Sequence, residues 1–111
     1  MGQAVLVYFP LSDAGFGSAW ELEALGGLGD DLREVVAEAG VGEFDGHDVG
    51  EGQYTLYLYG PNADGLFDAI EPLLVQQNWP REVVALKRYG APGEAEVRVF
   101  VEGPGRTKRS T

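Results

Sequence analysis

The chain has 111 residues and a formal net charge of −10, with eighteen Asp and Glu against eight Lys and Arg. A chain of this length can bury roughly two thirds of its unfolded surface in one core, so we expect one domain. It contains no cysteine, which excludes disulfides, thiolate metal sites and cysteine nucleophiles.

Targeting signals and the distribution of charge along the sequence also limit the cellular location and the partners that we expect. No signal-peptide pattern and no apolar run of membrane-spanning length occurs, so we expect a cytoplasmic protein. Residues 1–80 hold fourteen acids against Arg33 alone, whereas residues 81–111 hold seven Lys and Arg against four Glu. Because such a field repels phosphate backbones, nucleic acid is an unfavourable partner and a basic protein a more natural one. Acidity that only maintains solubility is the simpler alternative.

A strand and a helix are predicted in the first forty residues. Ala4 to Phe9 is short, β-branched and aromatic, as buried strands are, and Pro10 closes it. Ser18 and Glu21 fit a capping box, which starts a helix. Glycines at 26, 27 and 29 weaken that helix by about 1 kcal/mol each relative to alanine. We therefore expect the better helix to run from Asp30 to Ala39, with Gly40 as its stop.

The rest of the chain predicts five more elements and a tail. The glycine-rich acidic stretch 41–52 indicates a short edge strand and a turn, and Gln53 to Gly60 indicates a strand. Pro61 and Asn62 open a second helix, in which Pro72 predicts a kink or an early end. Strands follow over 81–89 and 94–102, joined by a turn, and the basic residues 103–111 are expected to be disordered.

This order of elements resembles the ferredoxin-like α/β plait. The resemblance covers about residues 3–102, within a single domain expected over residues 1–102. It implies an α+β two-layer sandwich, with two helices on one face of an antiparallel sheet and an extra C-terminal hairpin strand. Residues 41–75, with Gly-Glu-Phe-Asp-Gly, a strand and Tyr-Gly-Pro, also resemble small uncharacterised bacterial proteins. No activity comes with either resemblance.

The strand from Tyr54 to Tyr59 is apolar on both faces, and this pattern carries the functional hypothesis. If Tyr54, Leu56 and Leu58 face the helices, the other face of the sheet is aromatic. Its predicted partner-binding residues are Tyr8, Tyr57, Tyr59, Arg98 and Phe100, joined by Ala85 and Lys87 if Val84 and Leu86 point to the helices. Tyr, Phe and Arg are typical of interface cores. Ordinary cross-strand pairing of the aromatics is the alternative.

The favoured hypothesis is therefore a non-enzymatic protein-interaction domain. Its aromatic face would form a homodimer or hold a protein partner, and an acidic immunity-type protein that masks a basic toxin is one version. RNA-recognition motifs share the order of elements, but Glu51 stands where they need Lys or Arg.

Metal binding and catalysis are weaker hypotheses. Glu43, Asp45 and His47 would share one face of an extended strand, as metal ligands must, but a solvated acidic edge explains them more simply. We expect no metal, no cofactor and no assigned catalytic residue. The alternative function is a small cofactor-free plait enzyme, resembling some cofactor-free oxygenases, with a pocket near the sheet face and the 13–18 or 43–51 loop. It would use His47 or a carboxylate with a raised pKa.

Overall fold

Two helices and a five-stranded antiparallel sheet make up the fold in a computed structural model, which describes residues 2–12, 15, 17–91 and 93–103. In chain order the elements are β1 (Gln3–Pro10), α1 (Ala19–Ala39), β2 (Glu43–Gly50), β3 (Gln53–Gly60), α2 (Ala63–Gln76), β4 (Val83–Arg88) and β5 (Glu96–Val101). The strands lie in the order β2-β3-β1-β4-β5. The predicted α+β class is confirmed. The predicted basic tail lies outside the described residues, except for Gly103.

Both helices pack on the same face of the sheet, and the main core lies between them and the strands. Alternate residues of each central strand enter this core because side chains alternate faces along a strand. The buried strand residues of this layer are Val5, Val7, Phe9, Tyr54, Leu56, Leu58, Val83, Ala85 and Val101. The helices contribute Leu25, Leu28, Leu32 and Val36 from α1, and Ala63, Leu66, Phe67, Ile70 and Leu74 from α2. Neither helix in the described part of the chain is long and apolar enough to cross a membrane.

Helix α1 is continuous from Ala19 to Ala39, so the expectation that it strengthens only from Asp30 is wrong. Its buried stripe of leucines and Val36 packs on the sheet along the whole length. Tertiary burial of this kind outweighs the low helix propensity of glycine. The capping box of Ser18 and Glu21 is present, and Gly40 in the left-handed conformation ends the helix as predicted.

A buried carboxylate fastens the start of α1 to two other segments. Glu21 is fully buried, and its Oε1 accepts hydrogen bonds from Ser12 Oγ at 2.7 Å and from the Ser18 backbone N–H at 2.9 Å. Its Oε2 accepts from the guanidinium of Arg81. Arg81 Nε and Trp79 Nε1 in turn donate to the carbonyl of Pro10, at 3.1 and 2.8 Å. The end of β1, the start of α1 and the segment before β4 are thus held together.

The surroundings of Glu21 favour its ionised form. Burial raises the pKa of this carboxyl, but hydrogen bonds from the backbone and side chains of Ser18 and Ser12 outweigh that effect, and its pKa lies below the ordinary value. A carboxyl with a lowered pKa in the folded state stabilises that state above its unfolded pKa, and the stabilisation is lost as the pH falls through the folded pKa.

Helix α2 continues past Pro72 to Gln76, which excludes the predicted early end. Pro72 is exposed, as is Asp68 one turn earlier, whose carbonyl lacks the proline donor. Water can therefore satisfy that carbonyl. At the other end of the helix, Asn62 caps Gly65 through a 3.0 Å hydrogen bond. Asp64 accepts hydrogen bonds from Lys87 at 3.0 Å and from Tyr89 at 2.6 Å, which join the helix to β4.

The hairpin between β2 and β3 turns on Glu51 and Gly52. Gly50 pairs with Gln53, so the loop has two residues, and both have positive φ, 54° and 78°. Positive φ at both central residues is typical of the type I′ turn, which matches the twist of the two strands. The carbonyl of Gly52 also accepts from the Leu11 N–H at 2.8 Å, which holds the hairpin against the end of β1.

We expect Glu21→Gln to lower the free energy of unfolding by about 2–3 kcal/mol at pH 7, because hydrogen bonds to an ionised group are stronger than those to an amide. The difference from the wild type should shrink as the pH falls from the ordinary glutamate pKa, where the unfolded chain takes up the proton, through the lower pKa of the native Glu21 carboxyl. Urea denaturation at pH 7 and pH 3 measures both effects. Glu23→Gln, an exposed change on the same helix, is the control. Equal losses for the two variants at pH 7 would contradict the role of Glu21.

The three helix glycines should respond differently to alanine. A Cβ on Gly26 or Gly27 meets no atom within 4 Å, whereas one on Gly29 meets the Phe44 ring at 3.1 Å. Gly26→Ala and Gly27→Ala should each raise the free energy of unfolding by about 0.5–1 kcal/mol. Gly29→Ala should raise the free energy of unfolding by less than this, or lower it, because the buried Phe44 ring must move. Thermal denaturation of the three variants checks this order, and destabilisation by Gly27→Ala would argue against a continuous helix.

Candidate functional site

The face of the sheet opposite the helices carries three rows of side chains, one residue from each strand. The register aligns Asp48, Thr55, Tyr8, Val84 and Phe100 in the first row. It aligns Gly46, Tyr57, Leu6, Leu86 and Arg98 in the second, and Glu43, Tyr59, Ala4, Arg88 and Glu96 in the third. We call this surface the helix-free face.

The centre of the helix-free face is apolar and forms a second, smaller hydrophobic cluster. Ala4, Leu6 and Leu86 are buried there. Tyr8, Tyr57 and Tyr59 pack against them and are half-buried. Phe100 extends this surface toward β5 and is 55% exposed.

The five residues predicted to bind a partner all lie on the helix-free face. Tyr8, Tyr57, Tyr59, Arg98 and Phe100 share the face because they occupy matching parities of β1, β3 and β5. Their juxtaposition follows from alternation and from the strand order together. Whether they bind a partner remains a prediction.

Strand β4 has the opposite orientation to the one considered from its sequence. Val83 and Ala85 enter the main core, and Lys87 lies 5.3 Å from the centre of the Phe67 ring on the helix side. Val84, Leu86 and Arg88 therefore occupy the helix-free face, and Ala85 and Lys87 do not. The pairing of Tyr8 with Val84 sets this orientation.

Hydrogen bonding, burial and charge shift the pKa of two of the tyrosines. Tyr57 Oη donates to Asp48 Oδ2 at 2.9 Å, and this bond, with burial as a smaller cause, raises the pKa of Tyr57. Burial also raises the pKa of Tyr8, with Arg98 acting in the opposite direction. Both phenols are therefore neutral at physiological pH; the Tyr57 hydroxyl already donates to Asp48, and the Tyr8 hydroxyl can donate to another group.

Arg88 brings an unsatisfied donor to the third row. Its Nε is buried and has no hydrogen-bond partner among the described residues. A buried donor without a partner costs about 1–3 kcal/mol, so native structures seldom leave one unpaired. The donor lies at the helix-free face, beside Ala4 and Glu96 in the register.

The acidic residues are concentrated on the other side of the molecule. Six of the Asp and Glu residues lie in α1 and three in α2, and Arg33 is the one basic residue in either helix. In the three rows of the helix-free face the acids Glu43, Asp48 and Glu96 lie with Arg88 and Arg98, and the exposed Glu102 follows in the same alternation just beyond β5. The helix layer is therefore strongly negative, and the helix-free face is less so.

The predicted metal ligands do not share a face. A β-bulge lies between Phe44 and Gly46, so Asp45 falls outside the regular alternation. Glu43 pairs with Tyr59 on the helix-free face, whereas His47 pairs with Leu56 on the helix side. Among the residues that the structure describes, no group of three His, Asp or Glu could hold a metal ion.

His47 lines a groove between α1 and β2. The groove has a volume of about 370 Å³, and its walls include Glu23, Gly27, Asp30 and Tyr54. The imidazole stacks on the Tyr54 ring at 4.7 Å with an angle of 9° between the planes. Among the described residues, none forms a hydrogen bond with the imidazole of His47. The groove thus lacks the hydrogen-bonded carboxylate that would orient a histidine base. The neighbouring 13–18 loop falls partly outside the described residues.

Comparison with known proteins gives no further guide to function: no protein family, curated protein or solved structure matches the chain.

Proposed function

We propose that this protein is a non-enzymatic interaction domain that binds a protein surface through its helix-free face. The observation that carries the proposal is the cluster of Leu6, Leu86 and three tyrosines on a sheet face with no helix packed over it. An exposed apolar patch rimmed by polar groups is typical of protein interaction sites.

The strand order supports a ferredoxin-like α/β plait as the framework. The order β2-β3-β1-β4, with one helix between β1 and β2 and another between β3 and β4, follows the β-α-β-β-α-β arrangement. Strand β5 extends the sheet beside β4 as a hairpin partner. In this arrangement the helices cover one face, and the five strands present the other.

The composition of the face favours a protein as the ligand. Tyrosine, phenylalanine and arginine bury large areas at a small cost in side-chain entropy and are enriched in interface cores. With three acids and two arginines, the face offers no excess of positive charge to a phosphate backbone.

The location of the acids separates two kinds of partner. A basic protein, as in the immunity-type hypothesis, would be attracted toward the helix layer, and its association rate would fall with added salt. A partner that binds the helix-free face needs apolar and mixed-charge complementarity instead. A second copy of the chain meets that requirement and can be tested with the purified protein alone.

We expect the purified protein to self-associate reversibly and the double change Tyr57→Ala plus Phe100→Ala to weaken that association at least tenfold, because both rings lie on the helix-free face. Sedimentation equilibrium over a wide concentration range measures the dissociation constant. Trp20→Ala plus Leu22→Ala removes two exposed apolar side chains from α1 and is the matched control.

An association that the control weakens as much as the face variant would contradict the proposal. A dimer that neither variant affects would place the interface elsewhere and would also contradict it. Protein that stays monomeric would exclude self-association and leave a different protein as the partner of the helix-free face, whose binding must then depend on Tyr57.

A further inference from the structure

We propose that two copies of the chain pair edge to edge through β5, antiparallel and centred on Val97, so that their sheets form one continuous sheet. The proposal goes beyond the proposed function, because it uses the edge of the sheet and leaves the helix-free face of both copies open. Three features of β5 carry it: its outward backbone groups, its exposed valine and the order of its charges.

Strand β5 presents backbone hydrogen-bonding groups at the edge of the sheet. It is last in the strand order, and among the described residues it pairs with β4 on its inner side. The Tyr89 N–H donates to the Ala95 carbonyl at 2.9 Å, so the backbone groups of Ala95 face β4. These groups alternate sides along a strand, and those of Glu96 and Arg98 therefore point away from the sheet. Such a row is a template for another strand.

The opposite edge of the sheet is protected against such pairing. A bulge after Phe44 interrupts β2, and Gly46 has a positive φ of 127° there. Exposed acids also line β2, at Glu43, Asp45 and Asp48. Bulges and charges are the means by which natural sheets block their edges. Strand β5 contains no glycine or proline, and its register with β4 is regular, so it is the edge suited to pairing.

The helix side of β5 carries an exposed apolar residue at its centre. Val101 is buried and Val99 is partly buried in the main core, but Val97 is 47% exposed. Placing Val97 against the partner's Val97 removes both side chains from water. The neighbour of Val97 on β4 is Lys87, which already forms an ion pair with Asp64 at 3.0 Å. The pair of valines is therefore not flanked by an uncompensated charge.

On the helix-free face, the charges of β5 complement each other in this register. Glu96 lies opposite the partner's Arg98, and Arg98 lies opposite the partner's Glu96. The charges therefore alternate in sign around the two-fold axis. Unlike charges directly opposite each other stabilise a pair of strands, and like charges destabilise it.

The neighbouring registers oppose like charges. An axis at Glu96 or at Arg98 places that residue against its own copy. An axis at Val99 places Glu96 against the partner's Glu102. Each of these registers brings two charges of the same sign to about 5 Å across the strands, so each is less favourable than the register centred on Val97.

An axis at Phe100 satisfies the charges but not the valine. It pairs Arg98 with the partner's Glu102, which is favourable. It also places Val97 opposite the partner's Gly103, which has no side chain to cover it. The register centred on Val97 both pairs the charges and covers the apolar side chain.

The size of the contact predicts a weak dimer. Glu96 and Arg98 of each copy together supply about four backbone hydrogen bonds across the pair. One pair of strands buries less than about 1,200 Å², as weak and transient interfaces do. We therefore expect a micromolar dissociation constant. The axis is perpendicular to the sheet, so both helix-free faces lie on the same side and remain accessible.

A single introduced thiol tests the register directly, because the chain has no cysteine. The backbone groups of Val97 face β4, so Val97 and its copy form a pair without hydrogen bonds, in which the Cα atoms are about 4.5 Å apart. A disulfide needs about 4.4–6.8 Å. Val97→Cys should therefore give a disulfide-linked dimer under mild oxidation at micromolar concentration.

Val99→Cys, on the same side of the same strand, is the matched control. It lies opposite the partner's Ala95, and the two copies of residue 99 are separated by about 13 Å along the strands. We expect it to cross-link at least tenfold more slowly than Val97→Cys. The rate of alkylation of each thiol by iodoacetamide corrects the comparison for exposure, and thermal denaturation verifies that both variants are folded.

A charge exchange tests the same contact without a covalent bond. Glu96→Arg should weaken the dimer about tenfold in sedimentation equilibrium, although it lowers the net negative charge, because it places Arg98 against an arginine. Adding Arg98→Glu restores the pair with reversed signs, and the dissociation constant should return to within about threefold of the wild type. Glu102→Arg, with the same effect on net charge, should not weaken the dimer.

The outcomes separate this contact from the proposed function. Faster cross-linking by Val99→Cys, or weakening by Glu102→Arg in place of Glu96→Arg, overturns the register. Failure of Val97→Cys to cross-link overturns the edge contact, and the proposed function stands. Packing of two helix-free faces cannot link this thiol, which lies on the helix side, so Tyr57→Ala should not change its cross-linking. Measuring Tyr57→Ala plus Phe100→Ala in the Glu96→Arg variant tests the proposed function by itself.

Discussion

The handedness of two crossover connections determines what this molecule can do. Strands β1 and β2 are parallel across β3, and β3 and β4 are parallel across β1, so each pair is joined through a helix. Such connections are almost always right-handed, which places both helices on the same face of the sheet. The strands are nevertheless apolar on both faces. One apolar face is covered within the chain, and the other is left for a partner.

The helices must stay in place on the one face that they cover, and the buried Glu21 contributes to this. Its carboxylate joins the start of α1 to Ser12 after β1 and to Arg81 before β4. An ionised group away from solvent is tolerated because every oxygen has a donor. The capping box could be predicted from Ser18 and Glu21, which are three residues apart. The pairing with Arg81, sixty residues away, could not be predicted, because it depends on how the strands are ordered.

Most of the elements could be predicted from local patterns, and the errors have physical causes. The glycines of α1 suggested a broken helix because propensity is local, whereas the burial that holds this helix together is tertiary. The run of four apolar residues from Val83 to Leu86 has no alternation, so no pattern could orient β4; its pairing with β1 does. The bulge after Phe44 places Glu43 and His47 on opposite faces of the sheet. It could not be predicted, because Gly46 is the only residue of the sequence that points to it.

The same chain therefore has two surfaces of different character, and net charge alone describes neither. The acids lie mainly on the helices, where they make the solvent-facing layer strongly negative. The helix-free face carries fewer acids, and Arg88 and Arg98 lie among them. A strongly negative layer discourages contact through the helices. The uneven distribution of the acids thus leaves the helix-free face as the surface of least repulsion.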